Sequence, residues 1–234
     1  MADAPKQKRQ LVNFRFYKLD PAFRRLSQAE QDKGKQEFAA VIEKYRSQGL
    51  MVFVYSTMGI RSECDFLVWS IGYALESFEG MASETMKTGL GKYLETAHSY
   101  ISMTKHSVYV DKHSHPGQEG RRLVITPGES KYLFIYPFVK TRPWYVESKE
   151  ERQKMMDTHI AVGHKYPSVK LNTTYSFGID DQEFVVAFET DSPDDFLDLV
   201  QELREAKSSL YTLRDTPTFT CIRKDLPDLL SVLS

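Results

Sequence analysis

Two stretches, GIRSECDFLVW at residues 59–69 and GIDDQEFVVAF at residues 178–188, decide the fold. Each opens on Gly-Ile, passes through a short polar turn carrying an acidic residue, and runs into an apolar segment of β-forming residues. Each also follows a β-type segment, residues 50–57 and 169–177. Both therefore read as hairpins whose turn is the Gly-Ile-acidic cluster. The two glycines lie about half the chain apart, which points to an internal duplication.

The flanks repeat as well. Upstream of the first hairpin, Phe38, Val41, Ile42 and Tyr45 fall at the spacing of one helix face. Upstream of the second, Ser148-Lys149-Glu150-Glu151 reads as a capping box. Met155, Met156, His159 and Val162 then form an inward stripe, with Gly163 near the end. Downstream of the second hairpin, Ser192-Pro193-Asp194-Asp195 supplies an N-cap, a first-turn proline and two acids suited to the positive end of a helix dipole. Phe196, Leu199, Val200 and Leu203 follow on one face. The first-half counterpart is expected over residues 75–94, with Gly89 and Gly91 bending it. Strands are expected to open and close the halves at 11–17 and 100–110, then 132–138 and 218–223.

Each half thus reads β-α-β-β-α-β, the split ferredoxin-like unit. The predicted class is α+β, with two tandem ferredoxin-like halves packed sheet to sheet as in a dimeric α+β barrel. The join, residues 111–129, is rich in Gly, Pro, His, Ser and charge and reads as a mobile loop. It divides the chain into residues 1–112, a connecting loop at 113–130, and residues 131–234.

Composition excludes several classes. The 234 residues are 41% hydrophobic and 27% charged, and 31 basic against 32 acidic residues leave a formal charge of −1. No basic excess favours nucleic acid or an anionic membrane. No apolar run approaches the roughly 20 residues of a membrane span. The charged N-terminus does not read as a secretory signal, so a cytoplasmic location is expected. Two cysteines, Cys64 and Cys221, with no CxxC exclude a disulfide scaffold and a Cys-based zinc site. P-loop, GxGxxG, GxSxG and HExxH patterns are absent from the sequence.

What chemistry remains comes from comparing the halves. His159 precedes Gly178 by the interval that separates Ala40 from Gly59. One copy carries an imidazole on a helix face where the other carries a small apolar residue. That imidazole is either a core histidine bonded to a backbone carbonyl or an axial ligand for a haem iron, which needs the neutral ring. Met155 and Met156 suit a flat cofactor or an ordinary core equally. YPFVKTRPWY, residues 136–145, combines tyrosines, a tryptophan and two cations. It suits either a wall for a flat carboxylate-bearing ligand or an aromatic strand end. His113 and His115 read as loop histidines.

With these elements in order, the chain resembles the chlorite dismutase-like haem proteins, and most of all their coproheme decarboxylase branch. Tyr136-Pro137-Phe138-Val139-Lys140 matches that branch's Tyr-Pro-x-x-Lys, and MMDTHIAVGHKY, residues 155–166, matches its Met-Met-to-His stretch. Gly178-Ile179-Asp180-Asp181 matches its hairpin, and Glu202-Leu203-Arg204 its final-helix Glu-Met-Arg. The resemblance implies haem (coproheme or haem b) in the C-terminal half, with iron held through His159 and Glu202 as partner to that histidine. It implies a homopentamer, hydrogen peroxide as oxidant, and no nucleic-acid or membrane partner.

Tyr136 matches the tyrosine that becomes a radical and attacks propionates, and Lys140 the residue that holds or protonates one. Arg122 and Tyr109 fall near positions that bind the remaining carboxylates, and Met155 lies beside the porphyrin. The implied reaction is peroxide-dependent oxidative decarboxylation of coproheme to haem b. The alternatives are chlorite dismutase-like or weak peroxidase activity on haem b, and haem binding without turnover.

The sequence departs from the family at Ile160, where a glycine is usual, at His164 for an arginine, and at Pro167-Ser168. The distal position falls on Leu171 when aligned through the hairpin and on Asn172 through the helix. Neither is the arginine of true chlorite dismutases, and without that cation oxygen release from chlorite is disfavoured.

Overall fold

The computed structural model describes residues 8–109 and 123–233. In chain order the elements are β1 (Leu11–Leu19), α1 (Gln28–Ser47), β2 (Met51–Ser56), β3 (Phe66–Gly72), α2 (Leu75–Thr85) and β4 (Leu94–Met103). There follow β5 (Tyr132–Lys140), α3 (Arg142–Val146), α4 (Lys149–Gly163), β6 (Lys170–Tyr175), β7 (Phe184–Thr190), α5 (Pro193–Glu205), β8 (Thr212–Arg214), β9 (Phe219–Lys224) and α6 (Leu226–Ser231). Among the described residues no helix is long and apolar enough to cross a membrane. The protein is α+β, and its contacts gather into two compact units.

The first unit holds Gln10–Ile101 and the stretch from Phe219 onward. Its strands run in the order β4-β1-β3-β2-β9. The first four give the ferredoxin-like arrangement, in which the two βαβ crossovers interleave. Antiparallel register from Leu11↔Gly72 to Tyr17↔Phe66 sets Tyr17, Phe66, Val68 and Val54 on the face covered by α1, α2 and α6. Phe38, Ile42 and Tyr45 of the predicted α1 stripe are buried against that face. Ser27 and Glu30 form a full capping box at the helix start.

The second unit holds Ser102–Thr218, and its strands run β6-β7-β5-β8, the same arrangement again. Phe134 and Phe188 of the sheet pack against Val162 of α4 and Phe196 and Leu199 of α5. The Phe134 and Phe196 rings stack with centroids 4.1 Å apart. Both hairpin glycines have positive φ, +74° at Gly59 and +70° at Gly178, a conformation that costs glycine nothing and other residues a steric clash.

Three expected boundaries move. The helix expected over 75–94 ends at Thr85, and the strand expected over 100–110 both begins earlier, at Leu94, and ends earlier, at Met103. The Thr85 hydroxyl turns back onto the Met81 and Ala82 carbonyls. A Cβ at Gly91 would collide with the Thr85 carbonyl oxygen, and one at Gly89 would stand 2.9 Å from the Gly34 Cα. Those glycines make a close-packed turn between elements rather than a bend within a helix.

The segment expected to close the second half, 218–223, is β9 and pairs with β2 from Val54↔Lys224 to Ser56↔Ile222. Phe219 and Cys221 alternate into the first unit's core, where Phe219 stacks on Phe16 at 4.0 Å. The short β8, against Val139 and Lys140, closes the second unit.

Candidate functional site

The second unit departs from its own duplicate at the end of β5. In the first unit the Asp65 N–H donates to the Tyr17 carbonyl at 2.8 Å, and its carboxylate accepts the Leu19 N–H at 2.8 Å. In the second, the Glu183 N–H donates to the Phe138 carbonyl at 3.2 Å, and its carboxylate accepts the Lys140 N–H at 2.8 Å. Lys140 therefore stands where the first unit has the buried Leu19. The same counting places Tyr136 where the first unit has Arg15.

Lys140 is half-buried, with its ammonium 4.1 Å from the centroid of the Trp144 ring and 5.4 Å from that of Phe138. The Ser208 carbonyl is 3.5 Å from its Nζ. Burial pushes the ammonium pKa down to about 8, against the opposing pull of the Glu183 carboxylate. Glu183 also accepts the Tyr145 hydroxyl at 2.5 Å. Burial, and then that bond, hold the Tyr145 phenol well above its ordinary range.

His159 lies on α4, one turn after the buried Met155 and two turns after Arg152, so the three share a face. It is half-buried. Desolvation, with the Lys140 cation second, lowers its pKa to about 4. The imidazole is thus neutral near pH 7 and keeps a nitrogen lone pair for a metal. Helix α4 begins on half of the expected capping box. Ser148 accepts the Glu151 N–H at 3.1 Å, while the Glu151 carboxylate pairs with Lys154 at 2.7 Å.

Register decides what else shares the helix-covered face, because directly opposed residues of an antiparallel sheet point the same way. Tyr136↔Val186 and Phe134↔Phe188 on β5, with Leu171↔Phe188 on β6, bring Tyr136 and Leu171 to that face. The Tyr136 and Phe188 ring centroids are 5.9 Å apart. Burial first, then the Asp215 carboxylate, raise the Tyr136 phenol far above its ordinary pKa, with Arg204 opposing. Arg204 and Asp215 are themselves an ion pair at 2.5 Å. Leu171 is 48% exposed.

Other residues singled out in the sequence fall elsewhere. Asn172 pairs with Ala187 and faces the opposite side, buried, its amide donating to Glu189 at 2.7 Å. Glu202 on α5 accepts from Lys165 and, at 3.2 Å, from the Tyr166 hydroxyl. Among the described residues its hydrogen bonds go to these two and not to His159. Tyr109 packs at 6.3 Å from Trp144, and its hydroxyl accepts Arg152 at 3.2 Å. Arg122, His113 and His115 lie outside the described residues.

The structure thus brings His159, Lys140, Tyr136, Met155, Leu171 and Tyr109 to the helix side of the second unit's sheet or to the end of β5. Three participants were not anticipated as individual residues. Trp144 sat in the aromatic stretch without a role. Glu183 was legible only as the acid that precedes β7, as Asp65 precedes β3. Arg152 carried no motif, yet its Nε is buried and has no hydrogen-bond partner among the described residues, a state that costs about 1–3 kcal/mol and favours an incoming acceptor.

These residues fit a haem. A neutral imidazole offers one axial ligand, the aromatic sheet face offers a flat apolar contact, and Lys140 and Arg152 offer cations for propionates.

A family model described as chlorite dismutase matches residues 31–224. The chain is 27% identical over 199 residues to a coproheme decarboxylase of Mycolicibacterium smegmatis, covering 84% of each chain. It is 26% identical over 227 residues to a chlorite dismutase of Ideonella dechloratans, covering 95% of this chain and 79% of that one. The fold matches a mutant chlorite dismutase of Candidatus Nitrospira defluvii with a TM-score of 0.86 at 23% identity, covering 96% of this chain and 95% of the other. It also matches a heme-binding protein of Thermus thermophilus with a TM-score of 0.84 at 22% identity, covering 96% and 94%.

Proposed function

We propose, from the premise that this chain belongs to the chlorite dismutase family, that it binds haem in its second unit and decarboxylates coproheme oxidatively to haem b. The observation that carries this reading is the neutral His159 imidazole on the same side of the sheet as a half-buried phenol, Tyr136, with the partly desolvated cation Lys140 in electrostatic reach. The likeness to a coproheme decarboxylase supports it.

In this reading His159 would hold the iron, with Met155 on the same helix face beside it. When bound, haem would supply the peroxide-driven oxidising power that the amino acids lack. Lys140 and Arg152 hold propionate carboxylates. Trp144 and Glu183 keep the Lys140 stem in place, so a carboxylate meets a positioned cation rather than a mobile one. Tyr136 stays protonated throughout the physiological range. Its O–H is therefore available to release one electron and one proton and then recover both from a propionate carbon. The Asp215 carboxylate near that phenol adds to the bias towards the protonated form, against the opposing charge of Arg204, with which it is paired.

Chlorite dismutation is the second reading, supported by the longer match to a chlorite dismutase. Leu171 on the helix-covered face argues against it, because an apolar side chain there cannot hold an anionic leaving group near the iron. The natural subunit count is proposed as a pentamer on family likeness alone.

The test compares the native protein with Tyr136→Phe. Both are loaded with coproheme and given peroxide. The native protein is expected to form haem b, while the variant binds coproheme with an unchanged spectrum and converts it at least 100-fold more slowly. Equal rates would overturn the role of Tyr136.

A further inference from the structure

The first unit contains a cavity of about 490 Å³ between its sheet and α2, lined by no residue of the second unit. Its floor is polar, formed by Asn13 and Arg15 of β1 and Ser99 of β4, and its wall is apolar, formed by Leu75, Phe78 and Met86. The floor is unexpected. Register places Arg15 opposite Val68 and Asn13 opposite Ser70, on the same helix-covered face as Tyr17, Phe66 and Val54. That face is otherwise packed with apolar side chains. Polar groups on such a surface destabilise the fold unless something hydrogen-bonds them.

Part of that demand is met internally. The Asn13 amide, 7% exposed, donates to the Ser99 hydroxyl at 3.2 Å and to the Tyr100 carbonyl at 3.3 Å. The Arg15 guanidinium reaches the Tyr17 hydroxyl. Two atoms are left over: the Arg15 Nε and the Ser70 hydroxyl are buried with no hydrogen-bond partner among the described residues. Glu79 also borders the cavity but is exposed, and among the described residues it forms no ion pair with Arg15. On the opposite wall Leu75 is 53% exposed and Met86 38% exposed. A cation with a spare buried donor therefore stands at one end of a cavity whose other side is uncovered hydrocarbon.

We infer that this cavity is a second ligand site, for a small amphipathic carboxylate. The carboxylate would accept from the Arg15 guanidinium, and an aliphatic or aryl body would cover Leu75, Phe78 and Met86. The volume is in the range of small-molecule pockets, about 300–1,000 Å³, and a chain of roughly eight carbons fits within it. The site lies wholly within the first unit, so it stands or falls independently of the haem reading.

The experiment is calorimetric titration of the full-length protein with octanoate, and with 1-octanol as the uncharged comparison. Saturable one-to-one octanoate binding is expected with Kd on the order of 0.1–1 mM, and 1-octanol should bind at least tenfold more weakly. Arg15→Met should weaken octanoate at least tenfold while leaving 1-octanol unchanged. Because Arg15→Met also alters the floor, Ala82→Phe provides a second arm. It projects a ring from α2 into the cavity and should remove binding of both ligands. Absence of octanoate binding to the native protein would overturn the inference. So would equal octanoate and 1-octanol affinities, or octanoate binding that survives both substitutions.

Discussion

The Lys140 ammonium rests 4.1 Å from the centroid of the Trp144 ring, and the two residues belong to one turn of chain at the end of β5 and the start of α3. The contact is a cation–π pair in a half-buried setting, worth about 0.5–2 kcal/mol. Burial outweighs the pull of the Glu183 carboxylate, and the ammonium pKa falls to about 8. In the proposed reading, the charge of a lysine kept at such cost serves a ligand rather than the fold.

A stability prediction follows from the sign of that shift. The folded pKa of about 8 lies below the ordinary 10.5, so unfolding takes up a proton between these values and stability rises with pH across the window. Below pH 8 the whole penalty is present. Lys140→Met should therefore stabilise the ligand-free protein at pH 7 by about 1–3 kcal/mol, at roughly 1.4 kcal/mol per pKa unit discounted for partial exposure. The gain should shrink towards pH 10.5. Urea unfolding at pH 7 and pH 10 checks this, and a variant destabilised at pH 7 would contradict it.

Binding should show the opposite trend. As pH rises through about 8 the free protein loses the Lys140 charge, so coproheme affinity should fall in the native protein, and Lys140→Met should remove that limb. Glu183→Gln should move the limb to lower pH, because the Glu183 carboxylate is what raises the lysine pKa. Fluorescence quenching titrations from pH 6 to 9.5 report both effects.

Much of the fold around the candidate site is legible in the sequence. The Gly-Ile-acidic clusters read as hairpin turns, and the glycine of each has positive φ. The duplication exposed His159 as an imidazole without a counterpart at Ala40, and YPFVK marked the end of β5. What escaped had physical reasons. The pairing of β9 with β2 depends on long-range packing of Phe219 against Phe16, which local pattern does not encode. The choice between Leu171 and Asn172 is a question of strand parity, and a one-residue slip in alignment reverses the face. Arg152 was hidden because a helical arginine is usually solvated, and only its buried Nε distinguishes it.

Parity yields a paired prediction. Asn172→Ala should destabilise the fold by about 1–3 kcal/mol, because it leaves the buried Glu189 carboxylate short of a donor, and should leave the bound-haem spectrum unchanged. Leu171→Arg should leave stability within about 0.5 kcal/mol, as for an exposed site, and should increase chlorite breakdown at least tenfold. Thermal unfolding, the Soret band and oxygen-electrode traces separate these outcomes.

His159→Leu should abolish the spectral signature of a histidine-ligated haem while weakening iron-free coproporphyrin less than about fivefold, because carboxylate anchors and the sheet face remain. Arg152→Gln should do the reverse, weakening both porphyrins about tenfold, roughly 1.4 kcal/mol, with the ligation spectrum intact.

The most direct test of the central claim is the mass of the porphyrin recovered after coproheme-loaded protein is titrated with hydrogen peroxide. The account predicts stepwise loss of two carboxyl groups to give haem b. Recovery of coproheme at its original mass, still bound through His159, would contradict it.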